Sequence, residues 1–307
     1  SSVVFLSCSE PASTFHLMPF FKKKAGGASP PTIDTDIVLE SLLASGMSLA
    51  GLPLEAPRLH RTGWVDRQFF TARDDPDRTR EPWVAPAFAR NLDAAQERAA
   101  KHTHVEEVAL PRGTHLCARS SFARIVHGVL SEEQCAELLQ AVNQKGFTPA
   151  LINTGGGNQM LHVGARDGHR VIVDSPELAG WLLEALERHL PAKVGRWKLV
   201  GLNERLRFLC YLPGQEFPVH LDGQYARPAG HPEAGAVSKV TVQLYLHDVP
   251  ASHAGATTFF PDSGKDLPCQ PTGGSVLLFT QDLEHEGSKL KTGLKYTMRT
   301  EAMYRRV

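Results

Sequence analysis

The feature that most constrains this chain is a change of hydrophobic period after Gly201. Leu206, Phe208 and Cys210 alternate with Arg205, Arg207 and Tyr211 up to the turn at Pro213-Gly214, and Val240, Val242, Leu244 and Leu246 alternate in the same way further on. Side chains two apart on an extended strand share a face, so each run presents one apolar face to a core. Thr257–Phe260, Ser275–Thr280 and Lys295–Tyr304 continue the series, with Gly- and Pro-rich turns between them. Helical segments do not alternate with these strands. The pattern therefore predicts a mainly β fold (α+β), an antiparallel sandwich or barrel with flanking helices packed outside.

Two helices are expected ahead of the strands. Ser131-Glu132-Glu133-Gln134 has the form of a capping box, and Cys135, Leu138, Leu139 and Val142 follow at helical spacing until Gly146. The second opens at Ser175 with Pro176 in its first turn, and Leu178, Trp181, Leu182 and Leu186 share a face before Pro191. Residues 1–35 mix Ser, Pro and Gly with the basic run Lys22–Lys24 and carry neither period, which predicts a loose lead-in. From Val65 to Gly113, 17 of 49 residues are charged, a solvated composition with room for one short Ala-rich helix after Asn91 and no core of its own. The expected division is a poorly structured or accessory segment over 1–117 and a domain over 118–307.

Composition narrows the partners. At 307 residues and 42% hydrophobic, the chain suffices for one large core with an appendage. Lys+Arg and Asp+Glu tie at 33 each, so the broad positive field that nucleic acid would need is missing, and any anion must be held by a local pocket. An uncharged stretch over Ser41–Leu54 runs for 14 residues and is broken by Ser, Gly and Pro, short of a membrane span. No nucleic-acid or membrane partner is expected. The five cysteines, Cys8, Cys117, Cys135, Cys210 and Cys269, show no CxxC spacing and are odd in number, which favours a reducing compartment, cytoplasmic or nuclear. Val3–Leu6 is too short for the apolar region of a secretory signal.

The chemistry is carried by a small set of residues. His220 and Asp222 form an HxD in a strand-like segment, where residues two apart can chelate one ion. With 14 His and 14 Asp in 307 residues, about 0.6 such matches arise by chance, so context must decide. A third ligand, His285, follows the buried run Leu277, Leu278 and Phe279. Two histidines and one carboxylate leave three positions of an ion open, the arrangement a non-haem Fe(II) centre needs, and the set contains no thiolate of the structural-zinc kind. Lys295 and Arg299, four residues apart, face one side of an extended strand. Turned inward, they would call for an anion such as a dicarboxylate; turned outward, they are ordinary strand charges. Tyr211, Tyr245 and Thr257 bring hydroxyls to the same region, where each reads equally as a core residue.

Five blocks in order resemble the 2-oxoglutarate/Fe(II)-dependent dioxygenases of the prolyl 4-hydroxylase-like family. They are Gly201–Phe208, Tyr211–Gln215 with His220-Leu221-Asp222-Gly223, Ala254–Pro261, His285-Glu286-Gly287, and Gly293 with Lys295-Tyr296 and Arg299-Thr300-Glu301. The resemblance covers about residues 118–307. It implies a double-stranded β-helix (jelly-roll) core in which His220, Asp222 and His285 bind iron and Lys295 pairs the distal carboxylate of 2-oxoglutarate. By the same resemblance Arg299 serves either the other carboxylate or the substrate, Tyr245 donates to the cosubstrate, Thr257 sits in the GGxTxF block, and Tyr211 is a further candidate cosubstrate contact. Two departures stand out: Ala254 replaces the first glycine of that block, and the usual YLN reads Tyr245-Leu246-His247.

The implied activity is hydroxylation of an unactivated C–H bond, with Fe(II), 2-oxoglutarate and O2 consumed to give succinate and CO2, and with ascorbate admitted as an auxiliary reductant. A prolyl or other residue of a protein or peptide is the expected substrate. A free amino acid or small metabolite is the alternative, and a non-catalytic β-helix binding module a third reading. The Gly/Pro-rich stretch Gly223–Ser238, directly after the HxD, is long enough for a lid, and its Tyr225 and Arg227 are candidate substrate contacts. His231, His247 and His253 are expected to be loop or strand-end residues and not ligands, and Arg207 to brace the sheet.

Overall fold

The computed structural model describes residues 83–110, 121–150, 167–261 and 265–307, with short pieces at 46–49, 52–54, 56–59, 152–155 and 158–160. The expected lead-in over 1–35 lies outside the described residues. Among the described residues, three α-helices and two larger antiparallel sheets make up the body. Helix α1 spans Leu92–His102, with the Asn91 side chain accepting from the Ala94 amide. Helix α2 spans Glu132–Lys145 and opens on the predicted capping box, the Ser131 hydroxyl accepting from Gln134 N and the Gln134 side chain from Ser131 N. Helix α3 spans Pro176–Leu186 with Ser175 as its cap.

The principal strands are β1 (His104–Glu107), β2 (Ala123–His127), β3 (His169–Asp174), β4 (Trp197–Leu202), β5 (Arg205–Tyr211), β6 (Phe217–His220), β7 (Val237–Tyr245), β8 (Thr257–Phe259), β9 (Leu267–Cys269), β10 (Val276–Thr280), β11 (His285–Gly287) and β12 (Lys295–Arg306). The larger sheet runs β1-β2-β10-β7-β12-β5-β3, with β4 also on β12, and the smaller runs β6-β11-β8-β9. From β5 onward consecutive strands pass between the two sheets, leaving only β8 and β9 as sequence neighbours in one sheet.

Period-two alternation gives the larger sheet two unlike faces. Phe208, Cys210, Val240, Val242, Leu244, Tyr296 and Met298 pack with Leu138, Val142, Leu178, Trp181 and Leu182 of α2 and α3 in one core. Each large side chain there is fully buried, a contribution of about 1.5–3 kcal/mol apiece. The intervening residues, among them Leu209, Tyr211, Gln243, Lys295, Thr297 and Arg299, line a cleft shared with residues of the smaller sheet. One face thus builds the core and the other the site.

The expected 117/118 division lies outside the described residues, but described residues ahead of it join the same fold. Strand β1 pairs with β2, His104 opposite His127 and Glu107 opposite Arg124, and so extends the larger sheet. Helix α1 packs on α3, where Ala95 and Ala99 are buried and Gln96 donates to Glu184 at 2.7 Å. The charged composition misled because β1 is an edge strand whose four residues are all exposed.

The β10 entry imposes the tightest backbone constraint. Gly274 has φ +71°, and a Cβ there would lie 2.2 Å from the Leu130 carbonyl oxygen, while its own carbonyl accepts from Leu130 N at 3.0 Å. Gly274→Ala combines positive-φ strain with a backbone overlap that cannot relax without breaking this bond. It is expected to lower unfolding free energy by at least about 2 kcal/mol in urea titration; an unchanged midpoint would refute the account.

Candidate metal and cosubstrate site

Strand pairing brings the metal-ligating types together. His220 on β6 stands directly opposite His285 on β11, and Asp222 follows two residues after His220 on the same face. Ligand atoms of the three lie within 4.8 Å of one another, with His220 Nε2 3.7 Å from Asp222 Oδ1 and His285 Nε2 3.9 Å from Asp222 Oδ2. Atoms bound about 2.1 Å from one ion lie about 3–4 Å apart, so these residues fit a single metal. His220 Nδ1 lies 2.8 Å from the Pro218 carbonyl and His285 Nδ1 3.0 Å from that of Leu283. A carbonyl only accepts, so each Nδ1 carries the proton and each Nε2 offers a lone pair to the centre.

The surroundings hold these groups in their ligating states. Burial pushes the His285 imidazole down to about 4, with Asp222 opposing, so it stays neutral. Phe279 packs edge-on against its ring at 4.6 Å, and Phe217 stacks on His220 at 3.6 Å. Burial alone would raise the Asp222 carboxyl, but Arg299 and both imidazoles hold it well below the usual carboxylate range. Arg299 Nη2 donates to Asp222 Oδ1 at 2.8 Å, and the Thr241 hydroxyl on β7 donates to Oδ2. Glu301 in turn takes Arg207 at 2.8 Å and the Asn203 amide at 2.7 Å, and sits 3.7 Å from Arg299. Arg207 is a brace.

Lys295 is the unlike member. It is 3% exposed, and among the described residues no carboxylate lies within ion-pair distance of it. Its Nζ sits 5.4 Å from the Tyr211 ring centroid, and burial pushes the ammonium down to about 7. A buried cation without a counter-ion in the wall of this cleft suits an anionic ligand. Thr297 Oγ1 and Arg299 Nε, on the same face of β12, are likewise buried without a hydrogen-bond partner.

Residues 206–300, about a third of the chain, match the family model of the 2OG-Fe(II) oxygenase superfamily. Over these residues the chain matches a 2OG-Fe(II) oxygenase domain. It is a 2-oxoglutarate-dependent dioxygenase whose cofactors are Fe(II) and 2-oxoglutarate. No match was found among curated protein sequences. Among solved structures it is similar to a viral collagen prolyl hydroxylase from Paramecium Bursaria Chlorella virus-1 in complex with 2-oxoglutarate, at 19% identity over 59% of this chain and 95% of that one, TM-score 0.43. It is also similar to a Pseudomonas putida prolyl-4-hydroxylase, at 16% identity over 69% and 98%, TM-score 0.40. A third similarity is to a prolyl hydroxylase from Trichoplax adhaerens in complex with a hypoxia inducible factor peptide fragment, at 15% identity over 74% and 94%, TM-score 0.44.

The remaining expected site residues divide. Tyr211, Thr257, Lys295 and Arg299 line the cleft with the His/Asp/His group. Tyr245 does not: it is fully buried, and its hydroxyl donates to Thr257 Oγ1 at 2.9 Å. The oxygenase domain thus places Tyr245 behind the site wall. Arg227 is no substrate contact, because its guanidinium is taken by Glu204 at 2.7 Å and the Leu202 carbonyl at 2.8 Å. Tyr225 is half-buried and does not line the cleft; its amide donates to the Ser238 hydroxyl at 2.8 Å. His247 is structural, its Nε2 accepting from Tyr296 N at 3.0 Å. Thr297 and Gln243 line the cleft unanticipated, although counting by two between Lys295 and Arg299, or back from Tyr245, would have found them.

Lys295→Met should raise the thermal midpoint of the ligand-free protein, because it removes a buried charge, and should abolish stabilisation by added 2-oxoglutarate. In wild type the folded ammonium titrates near 7, below its ordinary 10.5, so the unfolded chain binds the extra proton between these values. Stability of the ligand-free wild type relative to Lys295→Met should therefore climb from about pH 7 upward, while affinity for the dicarboxylate falls over the same range. Denaturation and calorimetry from pH 6 to 10 read both signs, and parallel profiles for the two proteins would refute them.

Proposed function

We propose that this oxygenase hydroxylates a prolyl or other residue within a protein or peptide, on a double-stranded β-helix core. The passage of consecutive strands between two facing sheets supports the core. His220, Asp222 and His285 would hold Fe(II) through two Nε2 atoms and a carboxylate, and Lys295 would pair the distal carboxylate of 2-oxoglutarate. With dioxygen, the bound iron and 2-oxoglutarate supply the chemistry, giving succinate, CO2 and a hydroxylated product. The protein's own part is to hold ligands, shield the cleft and aim one C–H bond. Thr241 and Arg299 fix the Asp222 carboxylate, the two backbone carbonyls fix the imidazoles, and Phe217 and Phe279 keep water from the rings.

The observation that carries the polypeptide reading is access to the cleft among the described residues. No residue of the 223–238 segment lines the cleft. That segment is pinned aside by Arg227 on Glu204, by Ser238 N on Tyr225 O at 2.8 Å, and by the Ser238 hydroxyl on Gln281 at 2.9 Å. Val219 and Leu221, flanking His220 on an edge strand, are each 42% exposed. A site for a small metabolite would gain from closure over its ligand, whereas a chain-like substrate needs access and apolar footing beside the metal.

With Fe(II), 2-oxoglutarate and a panel of proline-containing peptides, succinate release is expected together with a mass gain of about 16 in the peptide. His220→Ala should lose both, along with the visible charge-transfer band that Fe(II) and 2-oxoglutarate give anaerobically. Turnover confined to free amino acids or metabolites would overturn the polypeptide assignment.

A further inference from the structure

Five cations meet at the far end of β12. Lys193, Arg196 and Lys198 lie on the hairpin that joins the two-residue strand Lys193–Val194 to β4, and Arg305 and Arg306 close β12. All five are exposed. Arg305 reaches Glu233 at 2.9 Å, and among the described residues it is the only one of the five in an ion pair. Register concentrates the charge: Lys198 stands directly opposite Lys193 on one side and Arg305 on the other, so a ladder of three cations crosses three strands on one face. Like charges in that relation are destabilising, so the ladder costs the sheet stability.

Edge protection does not account for it. Lysine on an outermost strand is a common guard against unwanted pairing, and Lys193 has that place. Lys198 and Arg305 do not, because β4 and β12 are each paired on both sides. Nor are these side chains drawn into the core. Val194, Trp197 and Leu199 alternate with them and pack on the helical side, which leaves the ladder on the opposite face. By the same count of two, Arg305 shares the face of β12 that carries Lys295, Thr297 and Arg299 into the cleft. It lies six residues beyond Arg299, about 20 Å along an extended strand.

We propose that Lys193, Lys198 and Arg305 form a docking surface for an acidic polypeptide segment, and that this segment flanks the substrate residue presented at the cleft. The second half rests on the polypeptide assignment above. An extended chain covers about 20 Å in about six residues, which sets the spacing between the acidic run and the target. Glu233 shows the group the ladder accepts, and it leaves Lys193 and Lys198 for an incoming segment. Two inter-strand steps make the ladder about 10 Å wide, enough for a short run of carboxylates and small beside a phosphate track. A base-stacking platform is missing from this face as well, since Trp197 turns to the helical side and Lys239 sits over its ring at 4.8 Å.

The test is fluorescence anisotropy of a labelled glutamate decapeptide with the full chain at low salt. Wild type should bind it, and binding should weaken as salt is raised. Lys193→Ser with Lys198→Ser should weaken it by about tenfold, and Lys193→Glu with Lys198→Glu should abolish it. The serine pair should also melt no lower than wild type, because it relieves repulsion on the surface. A wild type that does not bind, undiminished binding in both double variants, or tighter binding of a ten-residue oligothymidylate would each overturn the docking surface, the last by making it a nucleic-acid site. A second arm compares turnover of proline peptides that carry four glutamates or four serines about six residues from the proline. The acidic peptide should have a KM about tenfold lower in wild type, an advantage lost in the serine pair. Equal KM values in wild type would overturn the substrate half of the proposal. Turnover of neither peptide, with decapeptide binding intact, would instead count against the polypeptide assignment and leave the docking surface supported.

Discussion

The Asp222 carboxylate is where the two sheets meet, and the site depends on its being paired. It follows the edge strand of the smaller sheet, is fully buried on its side-chain oxygens, and is held from the larger sheet by Arg299 on β12 and Thr241 on β7. A buried carboxylate without partners would cost several kcal/mol or take up a proton, and in either case a metal ligand would be lost. The pairing continues outward as charges of alternating sign: Asp222, Arg299, Glu301, Arg207. Each satisfies the next, and the last is the half-buried Arg207 on β5. The interior can therefore keep the Asp222 charge beside the two imidazoles.

Lys295 departs from that rule ten residues after His285. Its ammonium is desolvated and lacks a carboxylate partner among the described residues, and burial has already brought it close to losing its proton at neutral pH. A core built only for stability would hold an apolar residue there. The contrast between a fully compensated Asp222 and an uncompensated Lys295 separates groups that hold the metal from a group that waits for an anion. A dicarboxylate bound there, as proposed, would recover this cost to the ligand-free fold and couple cosubstrate binding to stability.

Much of this was legible because period two is unambiguous where one face is buried. Leu206, Phe208 and Cys210 had to face the helices, which left Arg207, Leu209 and Tyr211 for the opposite face. The same count predicted that Lys295 and Arg299 share a side, and carried further it would have reached Thr297 and Gln243. The helix caps at Ser131 and Ser175 were equally readable, since capping is settled within four residues. Less accessible was the edge strand β1: an edge strand needs no apolar face, so His104–Glu107 reads as solvated chain. Arg227 misled for a related reason, because a cation in a loop next to the HxD looks like a substrate contact until Glu204 is found beside it.

By itself the sequence determined the elements, their buried faces and the residue types available for metal and anion binding, because these depend on local periodicity and short spacings. It could not determine partners separated by long stretches of chain. That His220 lies opposite His285, that Arg299 turns to Asp222, and that the Tyr245 hydroxyl is spent on Thr257 follow from strand register and the stacking of two sheets. Register is cooperative: it is chosen by the whole buried face at once, and only when it is chosen does each polar group acquire its neighbour.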